Sequence, residues 1–294
     1  MRRCGHFVPL NGCRPRGAWC GMAGATLLEF MVGLALGLVV VSAVAVHYQA
    51  TGQNSRLQTA QAQMVEDAQI GLELLRTDLM MAGFAQPQKL VLDAQGRPRW
   101  QTALAGQPPL MACDKGFESP ASEGSVACAA SGLSAAIEVS YQADAFNTVP
   151  LSGTSRPSDC LGYGLSANEG VYLTHNRWYV ASSQGRTELR CASRLGNPGQ
   201  PLVDNVEVLA LWFSVAQVAD PMAPVRYVKA SQVDSFSRVR SVRLCLLMRS
   251  TDAVLAADDA SAYLDCEGTP QTSSDRRLRR AFHAVVAVRA APGG

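Results

Sequence analysis

The chain has 294 residues, of which 48% are apolar and 17% are charged, enough for one medium-sized domain with a sizeable core. Its formal net charge is +2, but four arginines and no acidic residue precede position 25, so the remainder carries 2 − 4 = −2. This near-neutral remainder gives no charge argument for a nucleic-acid partner. The four basic residues are Arg2, Arg3, Arg14 and Arg16.

The first predicted element is an apolar segment from Ala25 to Val46. After Glu29 its only polar residue is Ser42, and as a helix that part covers roughly 25 Å, which nearly spans a bilayer core. A carboxylate such as Glu29 within a membrane costs on the order of 3 kcal/mol, so we expect a compensating partner. Basic residues lie before the segment, and the first one behind it is Arg56, which orients the N-terminus toward the cytosol.

Three interpretations of this segment compete. A cleaved secretory signal could use the sequence SAVA at Ser42 to Ala45, but the apolar run continues without a break into a long helical pattern. An uncleaved signal-anchor explains the span and the orientation and leaves Glu29 unexplained. A cut just before Ala25 would create a free α-amino group, and the amine of a neighbouring copy could then neutralise Glu29.

The pattern beyond the apolar segment predicts an amphipathic continuation of the same helix. No proline interrupts residues 25–86, and Gly83 and Pro87 provide a stop signal, so the helix should have about 55 to 60 residues. A coiled-coil stalk is the alternative, but the stripe lasts only about four heptads and lacks repeating charges. Gly33 and Gly37 form a GxxxG pair, which either favours close helix packing or reflects composition alone. The predicted buried stripe is Leu57, Met64, Ala68, Leu72, Leu75, Leu79 and Ala82.

After Pro87 the helical period gives way to short β-type runs bounded by Gly, Pro, Ser and Asn. One long helix packed on an antiparallel sheet is the expected α+β architecture. The predicted strands are Ala136 to Gln142, Gly170 to Thr174, Trp178 to Ser182, Thr187 to Ala192, Val203 to Val215, Ser237 to Met248 and Ala281 to Val288. The predicted loops are Asp93 to Pro109, Pro150 to Pro157 and Asp258 to Asp275.

The nine cysteines divide into two groups around the apolar segment. Three precede it, namely Cys4, Cys13 and Cys20, and six follow it. If the two groups lie in different compartments, the first three stay reduced and the last six form disulfides. Zinc binding is the alternative, but no CxxC occurs and no histidine flanks the cysteines at ligand spacing. Six cysteines allow 15 pairings, and pairing of neighbours is a guess: Cys113 with Cys128, Cys160 with Cys191, and Cys245 with Cys266.

The sequence GATLLEFMV, which begins at Gly24, resembles the processing signal of type IV pilins. The resemblance implies that prepilin peptidase cuts after Gly24, that Ala25 becomes the methylated N-terminus, and that Glu29 is the characteristic acid of the fifth mature position. It divides the chain into a leader (1–24), a transmembrane half-helix (25–46), an amphipathic half-helix (47–86) and a β-rich periplasmic domain (87–294).

Four runs in the C-terminal part are similar to PilW-type minor pilins, relatives of the J-class pseudopilins of type II secretion. The implied fold is pilin-like, and the implied place is the inner membrane, with a single pass, and then the pilus, near its tip or in the complex that primes assembly. The implied partners are other major and minor pilins, prepilin peptidase and the inner-membrane assembly platform. The runs are LVDNVEVLALWFSV from Leu202, VRYVKASQV from Val225, VRSVRLCLLMRS from Val239 and DRRLRRAFHAVVAVR from Asp275.

Two further functions remain open alongside this one. A type II secretion pseudopilin would have the same fold and the same processing. A bitopic periplasmic binding or sensor protein would keep its N-terminus uncut.

The chain offers little for catalysis, and we predict no enzyme activity, cofactor or metal. No GxSxG, P-loop, HExxH or EF-hand pattern occurs. His175, at the end of a predicted strand, is interpreted as a surface or turn residue, since nothing in the sequence orients it as a base. Ser250 with Asp252, and the pair Asp258-Asp259, are interpreted as turn or solvated residues. The basic cluster Arg276 to Arg280 is interpreted as a solvated face rather than a binding site.

Overall fold

The computed structural model describes residues 26–216, 226–256 and 261–288. Its first element is helix α1, Leu27–Met81, with 55 residues. The helix ends just before Gly83, which has φ 75°, a left-handed conformation that favours glycine. The amide of Gly83 donates to the carbonyl of Ser140 at 2.9 Å, which connects the helix end to the sheet domain. The predicted stop at Gly83 and Pro87 is therefore confirmed.

The predicted buried stripe of α1 is largely correct. Met64, Ala68, Leu75 and Leu79 are buried, and so is Ala82 just beyond the helix. Leu57 and Leu72 are only partly buried. The prediction missed three buried helix residues, which are Ala60, Gly71 and Asp78.

Gly71 brings the helix backbone directly against the sheets. A Cβ atom at this position would lie 2.8 Å from Leu246 Cδ1, 3.6 Å from Val203 and 3.7 Å from Leu189. Glycine in a helix interior costs about 1 kcal/mol relative to alanine. The close contact explains why a small residue occupies the position nevertheless.

Fourteen strands follow the helix in the described residues, and all of their pairings are antiparallel. The predicted α+β class is therefore confirmed. The strands are β1 (Pro87–Leu92), β2 (Pro98–Thr102), β3 (Leu110–Cys113), β4 (Ala136–Ala143), β5 (Ala167–Asn168), β6 (Val171–Ser183), β7 (Arg186–Ser193), β8 (Gln200–Asp204), β9 (Val206–Val215), β10 (Tyr227–Val228), β11 (Val239–Arg249), β12 (Ser261–Leu264), β13 (Pro270–Ser273) and β14 (Arg279–Ala287).

The strands form two larger sheets and two separate hairpins. The first sheet has the order β3-β4-β6-β7-β8, with β5 paired to β6, and the second has the order β10-β9-β11-β14. The hairpins are β1-β2 and β12-β13. The main hydrophobic core contains residues of the helix and of both larger sheets, including Leu75, Ile137 and Leu244. Burial of these apolar side chains is the principal stabilising contribution.

Several predicted strand boundaries are wrong. The two strands predicted on either side of His175 are one continuous strand, β6. The single run predicted from Val203 to Val215 is divided at Asn205, which has φ 60°. The predicted loop Asp93 to Pro109 contains β2, and the predicted loop Asp258 to Asp275 contains β12 and β13.

The structure contains three disulfides, and their pairing is that of sequence neighbours. They join Cys113 to Cys128, Cys160 to Cys191 and Cys245 to Cys266, with Cα atoms 5.3, 6.4 and 5.8 Å apart. In each pair one cysteine belongs to a strand of a larger sheet, namely β3, β7 or β11. The other lies outside the strands, and for Cys266 this is the turn between β12 and β13. Such crosslinks typically contribute about 2 to 4 kcal/mol. Cys4, Cys13 and Cys20 lie outside the described residues.

Candidate functional site

The first part of α1 exposes an unusually large apolar surface. Thirteen large apolar side chains between Leu27 and Val46 are each between 51 and 78% exposed. By length and composition this helix can cross a membrane. A soluble domain does not leave a contiguous apolar surface of this size in water, so it points to lipid or to other apolar helices as its surroundings.

Thr26 and Glu29 form a capping box at the start of the helix. The backbone N–H of Thr26 donates to Glu29 Oε2 at 3.2 Å, and the N–H of Glu29 donates to Thr26 Oγ1 at 3.3 Å. The Thr26 hydroxyl also lies 3.4 Å from Glu29 Oε2. This capping box was not predicted, although its pattern T-x-x-E is visible in the sequence. Within one chain, Glu29 therefore already has partners, in a helix turn whose dipole favours negative charge.

The other residues singled out in this segment are Gly24 and Ala25 at the predicted cleavage site and the glycine pair Gly33 and Gly37. Gly24 and Ala25 lie outside the described residues. A Cβ atom at Gly33 or Gly37 would meet no atom within 4 Å, so neither glycine is required by packing against the described residues. Their role in packing against a second helix stays a prediction.

Asp78 connects the second part of α1 to the first sheet through a buried polar cluster. Its carboxylate is 8% exposed and accepts hydrogen bonds from Tyr141 Oη at 3.1 Å, Asn176 Nδ2 at 3.0 Å and Trp178 Nε1 at 2.6 Å. Burial raises the pKa of Asp78, while the three hydrogen bonds oppose the rise. The carboxylate satisfies three buried donors at once and so fixes the helix against β4 and β6.

Arg177 forms a second buried cluster on the same sheet. Its Nε donates to Glu138 Oε2 at 2.7 Å, and its other nitrogens donate to the carbonyls of Pro120, Ser122 and Gly124. Burial alone would raise the pKa of Glu138, but hydrogen bonds and charges from Arg194 and Arg177 outweigh it and lower that pKa. The arginine thereby holds the segment around residues 120–124 against β6, a structural role.

His175 lies in the middle of β6 and is partly buried, so its interpretation as a surface or turn residue was wrong. Its Nδ1 is 2.7 Å from Ser140 Oγ. Burial, together with the charges of Arg194 and Arg177, lowers the pKa of His175 to about 4 against the opposing charge of Glu138. Ser140 is 2% exposed, so a substrate could not reach its hydroxyl, and the pair does not form an accessible nucleophile and base.

The prediction that the basic cluster is a solvated face is correct only in part, because Arg276 and Arg280 are exposed whereas Arg279 is largely buried. Arg279 has a side chain only 9% exposed, and it donates to Glu207 at 2.7 and 2.8 Å and to Asp275 at 2.7 and 2.8 Å. Arg276 and Arg277 donate to backbone carbonyls at Leu255, Ser250 and Thr251. Most of the cluster is therefore used to hold β14 and the preceding turn in place.

The two remaining candidates are the pair Ser250 and Asp252 and the pair Asp258-Asp259. The hydroxyl of Ser250 is buried and donates to the carbonyl of Asp252 at 2.7 Å, as expected for a turn. Asp258 and Asp259 lie outside the described residues. Within the part of the chain that the structure describes, no group of three or more His, Cys, Asp or Glu side chains is arranged to hold a metal.

A type IV-like pilin from Thermus thermophilus is a structural match with a TM-score of 0.34 and 11% identity, over 76% of this chain and 96% of that one. Among curated proteins, none matches the chain. The family model described as "Type IV Pilus-assembly protein W" matches residues 177–290, which begin within β6 and contain β7 to β14. The resemblance to PilW proteins of type IV pilus assembly that the sequence suggested is therefore confirmed over this C-terminal part of the chain.

Proposed function

We propose that the chain is a minor pilin that takes part in assembly of a type IV pilus, in priming or at the tip. The observation that carries the proposal is the exposed apolar half of α1, with its single acid, Glu29, in the first turn. A match of residues 177–290 to a pilus-assembly family supports it independently.

In this proposal the precursor is anchored in the inner membrane, with its N-terminus in the cytosol and its domain in the periplasm. Four arginines precede the apolar segment and none follows it before Arg56, which favours this orientation. The three disulfides require an oxidising compartment, which agrees with a periplasmic domain. The partners are prepilin peptidase, the inner-membrane assembly platform, and other major and minor pilins.

Processing after Gly24 would then prepare the N-terminus for assembly. The capping box places the Glu29 carboxylate beside the backbone N–H of Thr26, one residue from the new N-terminus at Ala25. On entry into a bundle of pilin helices, the carboxylate would meet the methylated amine of a neighbour in a medium where an unpaired charge is costly.

Mass spectrometry of the protein purified from cells tests the processing step. The expected mature chain begins at a methylated Ala25. An intact N-terminus, or one cut near Ala45, would contradict this function and favour an anchored binding protein or a secreted one.

Variants of Glu29 test the assembly step. Glu29→Gln keeps the shape of the side chain and removes its charge, so we expect a large loss of incorporation into sheared pili on immunoblots. Glu66→Gln, at an exposed acid of the same helix, is the matched control and should assemble normally. Equal incorporation of the Glu29→Gln variant and the wild type would remove charge pairing from the mechanism.

A further inference from the structure

Strand β14 is an edge strand that lacks the usual protections of a sheet edge. Among the described strands, the two larger sheets end at β3 and β8 and at β10 and β14, which have four, five, two and nine residues. Proteins protect such edges by making them short or by placing proline or charge on them. Strand β8 contains Pro201, whereas β14 contains no proline and no Asp, Glu, Lys or Arg after Arg280. Strand β14 is therefore the edge that is best suited to a partner.

The backbone of β14 offers hydrogen-bonding groups on the side away from its sheet. The strand pairs with β11 over nine residues without a bulge, and just beyond it the N–H of Val288 donates to the carbonyl of Arg240 at 2.8 Å. Because these groups alternate in direction along an antiparallel strand, those of Phe282, Ala284 and Val286 face β11. The residues whose groups face away from β11 are Ala281, His283, Val285 and Ala287.

This open side of β14 is accessible to another chain. None of the described strands other than β11 pairs with β14, and Val285 is 61% exposed. His283 and Ala287 are also exposed. Four N–H and four C=O groups at strand spacing are complementary to an extended segment, which satisfies them together by adding one strand to the sheet. The edge therefore selects for backbone conformation rather than for one particular side chain.

A groove beside α1 has room for side chains of an added strand. Its volume is about 450 Å³, and it is lined by Arg280 of β14 and by residues of α1. Because the side chains of a strand alternate between the two faces of a sheet, those on the helix side would enter this groove. Ala62 and Val65 give it an apolar part, and one acid, Glu66, balances the one cation, Arg280, which suits an uncharged segment. The other lining residues are Gln58, Gln61 and Gln69.

The edges of β14 and β8 lie on opposite flanks of α1. The groove at β14 is lined by Ala62 and Val65, whereas a second groove, at β8, is lined by Asp67 and Ile70. At about 100° per residue, these two pairs lie on opposite sides of the buried stripe that contains Ala68. Subunits that stand side by side with parallel helices would therefore direct β14 of one toward the β8 side of the next.

This arrangement favours a different pilin as the partner. In a second copy of the chain, the facing edge would be β8, where Pro201 has no N–H to donate. Antiparallel pairing of two β14 strands would turn the two α1 helices in opposite directions, which two copies anchored in one membrane cannot adopt. A different pilin subunit with an unprotected edge strand meets neither obstacle.

We propose that an uncharged strand of a neighbouring pilin subunit, different from this chain, adds to the open edge of β14, with alternate side chains in the groove beside Ala62 and Val65. The proposal rests on the assembly role proposed above and names a contact on which incorporation into the pilus depends.

Substitutions of Val285 test the contact in cells. Val285→Pro removes an N–H that faces away from β11, and Val285→Lys places a charge on the open edge, as protected edges do. The fraction of each variant in sheared pili, measured on immunoblots against the total in cells, should fall about tenfold or more. Val285→Thr keeps the N–H and the branched shape, so it should assemble normally.

Leu264→Lys is the matched control for Val285→Lys. Leu264 is 58% exposed and belongs to β12, which is outside both larger sheets, so this variant should assemble normally. Thermal unfolding of the purified variants in detergent micelles checks that each one is folded. If the proline variant unfolds, Val285→Lys carries the test.

Hydrogen exchange in the purified chain tests whether the edge is open and what fills it. The amides of His283 and Val285 should exchange about tenfold faster, or more, than those of Ala284 and Val286, which bond to β11. Protection of His283 and Val285 at about 100 μM would show that a second copy occupies the edge, and it would overturn the proposal.

Two results in cells would also overturn it. They are normal incorporation of Val285→Pro and Val285→Lys, or an equal loss with Val285→Thr, which would assign the effect to the side chain. Mass spectrometry of the same variants separates this failure from a failure of the proposed function, because a mature chain that begins at Ala25 shows that processing is intact.

Discussion

Both parts of helix α1 are rich in apolar residues, but the surroundings of these residues differ between the two parts. Residues 27–52 include no buried residue, whereas seven residues from Ala60 to Leu79 are buried. The second part is complete within its own domain, because the two sheets cover its apolar stripe. The first part has apolar residues on every side, and no described residue covers them. One helix therefore serves as a core element at one end and as a surface for other molecules at the other.

The acidic residues Glu29, in the first part, and Asp78, in the second, also differ in where their hydrogen-bond partners lie. Among the described residues, the Glu29 carboxylate bonds to Thr26 alone, three residues away. Asp78 bonds to Tyr141, Asn176 and Trp178, which are 63 to 100 residues away. A local partner stabilises one helix turn, whereas distant partners make the whole domain depend on a single side chain.

The largest expected effect is that of Asp78→Leu. The substitution leaves the Tyr141 hydroxyl and the Trp178 indole N–H without their acceptor, while Asn176 Nδ2 keeps only its contact of 3.4 Å with Tyr141 Oη. We expect it to destabilise the domain by about 3 kcal/mol or more. Denaturant unfolding followed by tryptophan fluorescence measures the loss. Glu73→Leu, at an exposed acid of the same helix, should change stability by less than about 0.5 kcal/mol. If both variants unfold at the wild-type midpoint, Asp78 does not fix the helix to the sheet.

Gly71→Leu should have the next largest effect. The new side chain would enter space occupied by Leu246, and overpacking of this kind costs about 1 to 3 kcal/mol. Gly52→Leu is the matched control in the first part of the helix, where a Cβ atom would meet nothing within 4 Å. It should leave unfolding unchanged or raise stability by up to about 1 kcal/mol through helix propensity. Equal effects of the two substitutions would contradict the contrast between the two parts.

His175 should make the sheet domain sensitive to acid. Its pKa in the folded protein, about 4, lies below the ordinary value of 6.5, so the unfolded chain binds the proton more tightly. This stability contribution is complete above pH 6.5 and is lost as the pH falls toward 4, by on the order of 2 kcal/mol. Unfolding measured against pH should therefore show a shallower decline for His175→Gln. His283→Gln, at an exposed histidine, should keep the wild-type slope.

Thr26→Val should have the smallest effect. Loss of the capping box costs about 1 kcal/mol at the first helix turn and leaves the sheet domain unchanged. Hydrogen exchange at the amides of Glu29 and Phe30 should become faster, while the unfolding midpoint stays constant. Thr51→Val is the control, since the Thr51 hydroxyl bonds to the carbonyl of His47 within the helix and caps nothing. Unchanged exchange at Glu29 would show that the cap does not stabilise the turn.

The sequence was most informative where the determinants are local. The stop at Gly83 and Pro87 and most of the buried stripe depend on residues within one or two helix turns of each other, so the helix was predictable. The capping box was equally local and could have been found from T-x-x-E.

The errors lie where distant partners decide the outcome. Asn176 and Arg177 made β6 look interrupted, yet they are 1 and 0% exposed within one continuous strand. Their polar groups are satisfied by Asp78, Glu138 and the carbonyls near residue 122, which no local pattern reveals. The hairpins β1-β2 and β12-β13 were missed for a related reason, since their exposed faces show little of the apolar alternation that predicts a strand.

The neighbour pairing of the cysteines has a consequence for the order of oxidation. The paired cysteines are 15, 31 and 21 residues apart, and none of these three disulfides crosses another along the chain. If the domain is exported from its N-terminal side, as the proposed function requires, Cys113 arrives first and then Cys128, and each later pair follows in the same order. If an oxidant links each newly exported cysteine to the preceding unpaired cysteine, all three native disulfides form. No disulfide isomerisation is then needed.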